Sequence, residues 1–241
     1  QASSASMVSI MTALYFSALR PEDRVAVKPH ASPIFHAMQY LMGHQSRAKM
    51  ENFRGLGGVQ SYPSRTKDID DVDFSTGSVG LGGGITALAS MVQDFITAKD
   101  WGADVPLGRM VALVGDAELD EGNIYEVLQE GWKNDLRNTW WIIDYNRQNL
   151  DGTRIPNERG LRGTDCDRIE RTAVANGWRV IQLRHGRIRE EVFAREGGNR
   201  LRSVIESEFS DFEFQLLALS RKASHVRKAW LEKDPELSDL L

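Results

Sequence analysis

The 241-residue sequence holds a single cysteine, Cys166, so no disulfide can close within the chain. A lone thiol fits a reducing compartment better than an oxidising one. No apolar run approaches the roughly 20 residues of a membrane-spanning helix, and no cationic and apolar leader opens the sequence. A cytoplasmic protein with no membrane partner is therefore expected. Basic charge is not in excess either. Thirty Lys and Arg against 34 Asp and Glu give a net charge of −4, which argues against nucleic acid as a main partner. Repeats, low-complexity tracts and basic patches are lacking. His36, His44, His185 and His225 show no metal-ligand spacing and read as surface or core residues. The sequence does not begin with methionine, and a piece of a longer polypeptide is expected. The length suffices for a buried core.

What is present centres on residues 110–152, MVALVGDAELDEGNIYEVLQEGWKNDLRNTWWIIDYNRQNLDG. Residues 110–114 are an apolar run short enough for a buried parallel strand. The run stops at Gly115-Asp116, and Ile124, Val127 and Leu128 are then spaced for one helix face. A second apolar run, 140–143, ends at Asp144-Tyr145-Asn146. A strand–helix–strand crossover brings both strand ends to one edge of the sheet, the edge where open α/β sheets bind ligands. Asp116 and Asn146 would offer one carboxylate and one neutral oxygen there. That pair suits Mg²⁺, which takes one or two carboxylates and completes its shell with phosphate oxygens and water. The turn over 115–118 opens a helix whose free N–H groups would favour a phosphate. The competing reading is local: Asp116 caps the helix and Asn146 is a turn residue.

The spacing of glycine-aspartate and, about thirty residues later, asparagine resembles the thiamine diphosphate motif of transketolases and 2-oxo acid dehydrogenases. GDAELDE followed by IIDYNRQNLDG resembles the homodimeric pyruvate dehydrogenase decarboxylating components of bacteria. The resemblance implies that Asp116 and Asn146 give side-chain ligands to Mg²⁺ and Gln148 its main-chain carbonyl. It places Gly115, Ala117, Glu118, Asn146 and Leu150 against the cofactor. Ala117 stands where the family has the second glycine of Gly-Asp-Gly, a difference that matters if φ must be positive there.

Taken from its start, the chain shows helical spacing over residues 7–19, with Ser3, Ser4 and Ser6 as candidate caps. Ser4 matches a family serine near the reacting centre; the family's accompanying histidine would fall at or before Gln1. Residues 24–28 read as a short strand broken at Pro29-His30, and a helix is expected over 33–42 with Pro33 in its first turn. The resemblance assigns His30 to the diphosphate and the catalytic centre; Lys28 stands at a family glutamine. Residues 47–53 read as a short helix. Residues 55–73 read as a long surface loop, often a functional kind of segment. Within it the family's SYP segment implies a catalytic role for Tyr62, followed by Ser64 at a family histidine.

Glycines 77, 80, 82, 83 and 84 then lead into an apolar helix over 81–98. Gly82-x-Gly84-x-x-Ala87 can be read as a dinucleotide fingerprint, a weak signal because no good strand precedes it. The resemblance instead assigns Gly77 and Val79 to main-chain contacts with the cofactor aminopyrimidine. A simple hinge for close helix packing competes equally. Residues 153–165 read as a solvated polar loop, 165–176 as a helix ended by Gly177, and 178–183 as a strand. The rest is helical and charged, with apolar stripes at Leu201, Val204, Ile205 and Phe209 and at Val226, Trp230 and Leu231.

The expected fold class is therefore α/β: a parallel sheet with helices on both faces, of the thiamine diphosphate-binding kind, with a helical C-terminal part, residues 1–241 forming one such domain. The resemblance implies oxidative decarboxylation of a 2-oxo acid, pyruvate-like, with thiamine diphosphate and Mg as cofactors. It further implies a homodimer or pairing with a pyrimidine-binding domain that carries the activating glutamate, and transfer of the two-carbon unit to a lipoyl-bearing acyltransferase. This chain alone is expected to be inactive. A transketolase-like transferase and a non-catalytic domain that keeps the fold are the alternatives.

Overall fold

In the computed structural model, residues 2–102, 104–148 and 165–241 are described. They form two compact units, 1–146 and 147–241.

The first unit is built on a parallel sheet of three strands in the order β1 (Arg24–Ala26), β2 (Met110–Gly115), β3 (Thr139–Asp144). The central strand β2 is buried at all six positions, which is why its sequence is a continuous apolar run rather than an alternating one. Register pairs Val25 with Val111, Ala26 with Ala112, Leu113 with Ile142, and Gly115 with Asp144. Successive side chains point to opposite faces. Val25, Val111 and Leu113 face α1 (Ala2–Ala13) and α2 (Ser32–Leu41), where they pack with Met7, Met11, Leu14 and Phe35. Phe35 is 1% exposed; burying such a side chain contributes about 1.5–3 kcal/mol.

The opposite face carries Ala26, Ala112 and Trp141. Over it lies α4 (Leu81–Ala98), which touches all three strands. The small residues have a steric purpose. A Cβ on Gly83 would fall 3.0 Å from Trp141 Cζ2 and 2.9 Å from Ile124 Cδ1, the latter on α5 (Gly122–Lys133). Gly80, at φ 78°, makes the left-handed entry to α4. Helices on both faces of a parallel sheet are thus observed, as the sequence implies.

The expected helix over 7–19 begins earlier, at Ala2, and ends in a π-helical turn, Leu14–Ala18. The helix expected at 47–53 is shorter, α3 (Arg47–Glu51). Residues 74–78 hold no strand, so the dinucleotide fingerprint at 82–87 lacks the element it requires.

The second unit is helical: α6 (Asp165–Ala175), α7 (Arg187–Phe193), α8 (Gly198–Ser203), a π-helical turn Val204–Glu208, α9 (Asp211–Ala218) and α10 (Ala223–Lys233). Its core gathers Phe193, Leu201, Val204, Ile205, Phe209 and Leu237. Ser210 and Glu213 close a capping box at the start of α9. Gly177, at φ 76°, ends α6 as expected. The strand expected at 178–183 does not form: those residues are irregular, with Ile181 74% and Leu183 94% exposed. Among the described residues no neighbouring strand is there to satisfy its backbone, and a strand without one leaves its polar groups unpaired.

Candidate functional site

The carboxyl ends of β1, β2 and β3 carry Lys28, Asp116 and Asp144-Tyr145-Asn146. Register pairs Gly115 with Asp144, and the Asp116 N–H donates to the Asp144 carbonyl at 3.3 Å. Asp116 and Asn146 therefore follow a fixed cross-strand pair by one and two residues, at the carboxyl ends of adjacent strands. Asp116 is buried, and its Oδ1 accepts from the Ala117 N–H at 3.1 Å. Ala117 is not among the residues with positive φ, and Asp116 is right-handed at φ −57°. The alanine thus carries no backbone strain.

The turn differs from the expected anion cradle. A 3-10 turn, Ala117–Asp120, intervenes before α5. The Gly115 N–H donates to Glu118 Oε1 at 3.0 Å, the Asp116 N–H to Asp144, and the Ala117 N–H to Asp116. Three N–H groups read from sequence as free for a phosphate are thus already donating. Glu118 also accepts from the Gly80 N–H at 3.3 Å, so its carboxylate clasps the entry of α4 to the end of β2. Burial pushes its pKa up, against those two backbone N–H groups and the Lys28 charge.

A side-chain network missed by sequence reasoning lies beside this turn. Asp144 Oδ2 accepts from Lys28 Nζ at 2.7 Å, from Ser6 Oγ at 2.6 Å and from Asn146 Nδ2 at 3.0 Å. Asn146 Nδ2 also donates to Ser6 Oγ at 3.2 Å. Lys28 is 3% and Asp144 4% exposed. Gly115 makes room for this lysine: a Cβ there would come 3.1 Å from Lys28 Cε. The sequence signal was present, since two apolar strand runs end in opposite charges.

His30 sits in the 3-10 turn Pro29–Ala31 that follows β1. Its Nε2 lies 3.2 Å from the Tyr62 hydroxyl, which lies 3.0 Å from Ser78 Oγ. The structure thus brings together the two residues assigned as catalytic. Burial, then the charges of Lys28 and Arg54, hold the His30 pKa below its ordinary value. A cavity of about 210 Å³ opens here, lined by Ser3, His30, Ser32, Arg54, Ser61 and Tyr62. Arg54 was not foreseen; it holds a left-handed backbone at φ 67°. One residue from Ser3, Ser4 Oγ is buried with no partner among the described residues.

Val79 spends its carbonyl on Asn123 Nδ2 at 3.0 Å. A Cβ on Gly77 would meet nothing closer than Leu81 Cδ1 at 3.6 Å, so no protein neighbour requires glycine there. Gln148 belongs to the second unit, and Leu150 lies outside the described residues.

Among the described residues, one further cluster could hold a metal by distance: His36, Asp68 and Asp70, with ligand atoms within 4.8 Å. All of its donor and acceptor atoms except Asp70 Oδ1, which is buried without a hydrogen-bond partner among the described residues, are engaged otherwise. His36 Nδ1 lies 2.6 Å from Asp70 Oδ2 and Nε2 2.9 Å from the Gln60 carbonyl. Asp68 accepts from the Gln60 and Ser64 N–H groups at 2.9 and 2.8 Å. The cluster therefore works as a clasp that ties the Tyr62 loop to α2.

Comparison with known proteins gives a consistent neighbourhood. Residues 20–194 match the family "Transketolase, thiamine diphosphate binding domain". The chain is 26% identical over 252 residues to the pyruvate dehydrogenase E1 component of Pseudomonas aeruginosa, covering all of this chain and 27% of that protein. It is 25% identical over 224 residues to the same-named protein of Corynebacterium glutamicum, covering 91% of this chain and 23% of that protein. The chain thus spans about a quarter of the length of these relatives. Among solved structures, a transketolase from Campylobacter jejuni superposes with a TM-score of 0.51 at 19% identity, covering 71% of this chain and 31% of that one. At that identity the likeness concerns the fold. No helix among the described residues is long and apolar enough to cross a membrane.

Proposed function

Because the chain belongs to the family of transketolase thiamine diphosphate binding domains, we propose that it anchors thiamine diphosphate through Mg²⁺ for the oxidative decarboxylation of a pyruvate-like 2-oxo acid. The observation that carries this reading is the placement of Asp116 and Asn146 at adjacent carboxyl ends of a parallel sheet, locked by the Gly115–Asp144 register. One carboxylate and one amide oxygen are hard donors of the kind Mg²⁺ takes, with phosphate oxygens and water to complete its shell. The His30 cavity, lined by three serines, His30, Arg54 and Tyr62, fits a polar group bound on the same unit.

In this reading Asp116, Asn146 and the Gln148 carbonyl hold the metal. Gly77, Val79, Gly115, Ala117 and Leu150 shape the backbone around the cofactor, and Glu118 fixes the turn that carries Asp116. When bound, thiamine diphosphate supplies the electron sink for loss of carbon dioxide. The chain's own contribution is orientation, since a diphosphate held at fixed points presents its rings in one geometry. We assign His30 and Tyr62 to the catalytic centre, where a hydrogen bond links the ring to the hydroxyl that Ser78 aligns. Substrate class follows the curated relatives, which are named pyruvate dehydrogenase E1 component. Those relatives are about four times longer. We accordingly assign the activating glutamate to a separate pyrimidine-binding domain, on the same polypeptide, in a homodimer or on a partner. We also assign transfer of the two-carbon unit to a lipoyl-bearing acyltransferase and a cytoplasmic location.

A transketolase-like transfer of the same unit between sugars is the second reading, favoured by the family match. One assay separates the two. The chain, with thiamine diphosphate, Mg²⁺ and a pyrimidine-binding domain supplied, should release carbon dioxide from pyruvate and leave a ketose phosphate intact. The reverse result supports the transferase. Turnover of either substrate by the isolated chain would show that it needs no second domain.

A further inference from the structure

An asparagine offers a metal either end of its amide in principle, and only the oxygen end binds. Asp144 decides which end is presented. Its Oδ2 accepts from Asn146 Nδ2 at 3.0 Å, and Ser6 Oγ lies 3.2 Å from the same nitrogen. With Nδ2 held between a carboxylate and a hydroxyl, Oδ1 is the end left to point away from Asp144. A flipped amide would set its oxygen against that carboxylate, an arrangement with two acceptors and no proton.

Asp144 would itself be a tempting ligand. It is an anionic oxygen at the end of β3, cross-strand from the residue that precedes Asp116. Lys28 Nζ removes it from competition by pairing with Oδ2 at 2.7 Å, and both side chains are at most 5% exposed. Oδ2 already takes an ammonium, a hydroxyl and an amide, and the ammonium charge beside it offsets the pull of the whole carboxylate, Oδ1 included, on a second cation.

We infer that Asp144 and Lys28 are positioning residues for the cation site: Asp144 commits the Asn146 oxygen to the metal, and Lys28 keeps Asp144 from joining it. The inference rests on the reading that Asp116 and Asn146 hold Mg²⁺. It makes the site a one-carboxylate site by construction. Freed from Lys28, Asp144 would add an oxygen ligand and shift preference toward Ca²⁺, which accepts six to eight oxygens and tolerates irregular geometry, whereas Mg²⁺ demands a near-ideal octahedron.

The test is calorimetric titration of Mg²⁺ and of Ca²⁺ into the 241-residue chain with thiamine diphosphate present. Four forms are compared: the unaltered chain, Lys28→Met, Asp144→Asn, and the double variant Lys28→Met/Asp144→Leu, in which no buried charge is left unpaired. Loss of an orienting group outside the ligand set typically weakens metal affinity about 10- to 100-fold. That loss is expected for Mg²⁺ in the double variant, with an unfolding midpoint close to that of the unaltered chain. Lys28→Met should raise the Ca²⁺-to-Mg²⁺ affinity ratio. Asp144→Asn, whose amide oxygen can still accept from Asn146, should recover most of the Mg²⁺ affinity lost in the double variant. A folded double variant that binds Mg²⁺ as the unaltered chain does overturns the inference and leaves the cofactor reading standing. If the double variant does not fold, an unchanged Ca²⁺-to-Mg²⁺ ratio in Lys28→Met overturns it instead. No metal-dependent binding by the unaltered chain overturns the cofactor reading, and this inference with it.

Discussion

Lys28→Met should destabilise the sheet unit by about 3–5 kcal/mol, the usual effect of leaving one member of a buried ion pair alone. The structure sets the terms. The paired side chains are 4% and 5% exposed, with Nζ and Oδ2 2.7 Å apart, so water cannot take the place of either partner. Methionine keeps the length and most of the volume of lysine, so packing changes little and the loss is electrostatic. Ser6 and Asn146 still donate to Asp144, at 2.6 and 3.0 Å. Hydrogen bonds to a charged group contribute about 1.5–3 kcal/mol each, which places the expected loss at the lower end. Asp144→Leu should cost at least as much, because it strands the ammonium. The double variant should nevertheless be more stable than either single variant, since a buried pair replaced by apolar groups of similar size is often neutral. Urea unfolding followed at two wavelengths would measure this, with each transition analysed separately because the chain holds two units. A double variant as unstable as the sum of the two single losses would refute the reasoning.

Burial alone would lower the His36 pKa; the hydrogen bond and charge of Asp70 and the bond to the Gln60 carbonyl outweigh it and raise the value above 6.5. Burial would raise the Asp70 pKa, and His36 and Gln45 bring it below 3.8. The raised histidine contributes stability that is complete below pH 6.5 and lost as pH rises through the folded value. The lowered aspartate contributes stability that is complete above pH 3.8 and lost as pH falls through its own. Hydrogen exchange of residues 59–72 should therefore be slowest between those limits, after correction for intrinsic rates; a flat profile would contradict the clasp. Gly83→Ala should destabilise by about 1 kcal/mol, because crowding against Trp141 costs more than the gain in helix propensity. Gly84→Ala, whose Cβ would meet only Val127 at 3.9 Å, should instead stabilise by up to about 1 kcal/mol; thermal melts that rank the two variants the other way would reject the packing of α4. In the second unit, Arg147 pairs with Asp211 at 2.7 Å and also donates to the Phe209 carbonyl. Arg147→Met should cost that unit about 3–5 kcal/mol and leave the transition of the sheet unit in place.

Much of the fold was legible because its signals are local. The runs at 110–114 and 140–143 stand out as strands, and glycines 80–84 mark a helix entry that packs tightly. Residues 178–183 show where that logic stops: an apolar run becomes a strand only beside a partner, and sequence does not supply the partner. Asp116 and Asn146 were legible as a pair because a strand–helix–strand unit fixes which ends meet. The network around Asp144 was not, since it joins residues up to 140 positions apart. The cradle of N–H groups over 115–118 was read as open because sequence cannot show that Glu118 folds back onto Gly115. Arg54 carried no motif; only its backbone at φ 67° and its place beside His30 mark it.

The most direct measurement is isothermal titration of thiamine diphosphate into the chain with and without Mg²⁺, repeated on Asp116→Ala. Binding that requires the metal and disappears with the Asp116 carboxylate is the expected result. Binding that is indifferent to Mg²⁺ or to Asp116, or no heat even with a pyrimidine-binding domain supplied, would contradict the cofactor site and leave a domain that keeps the fold without the anchor.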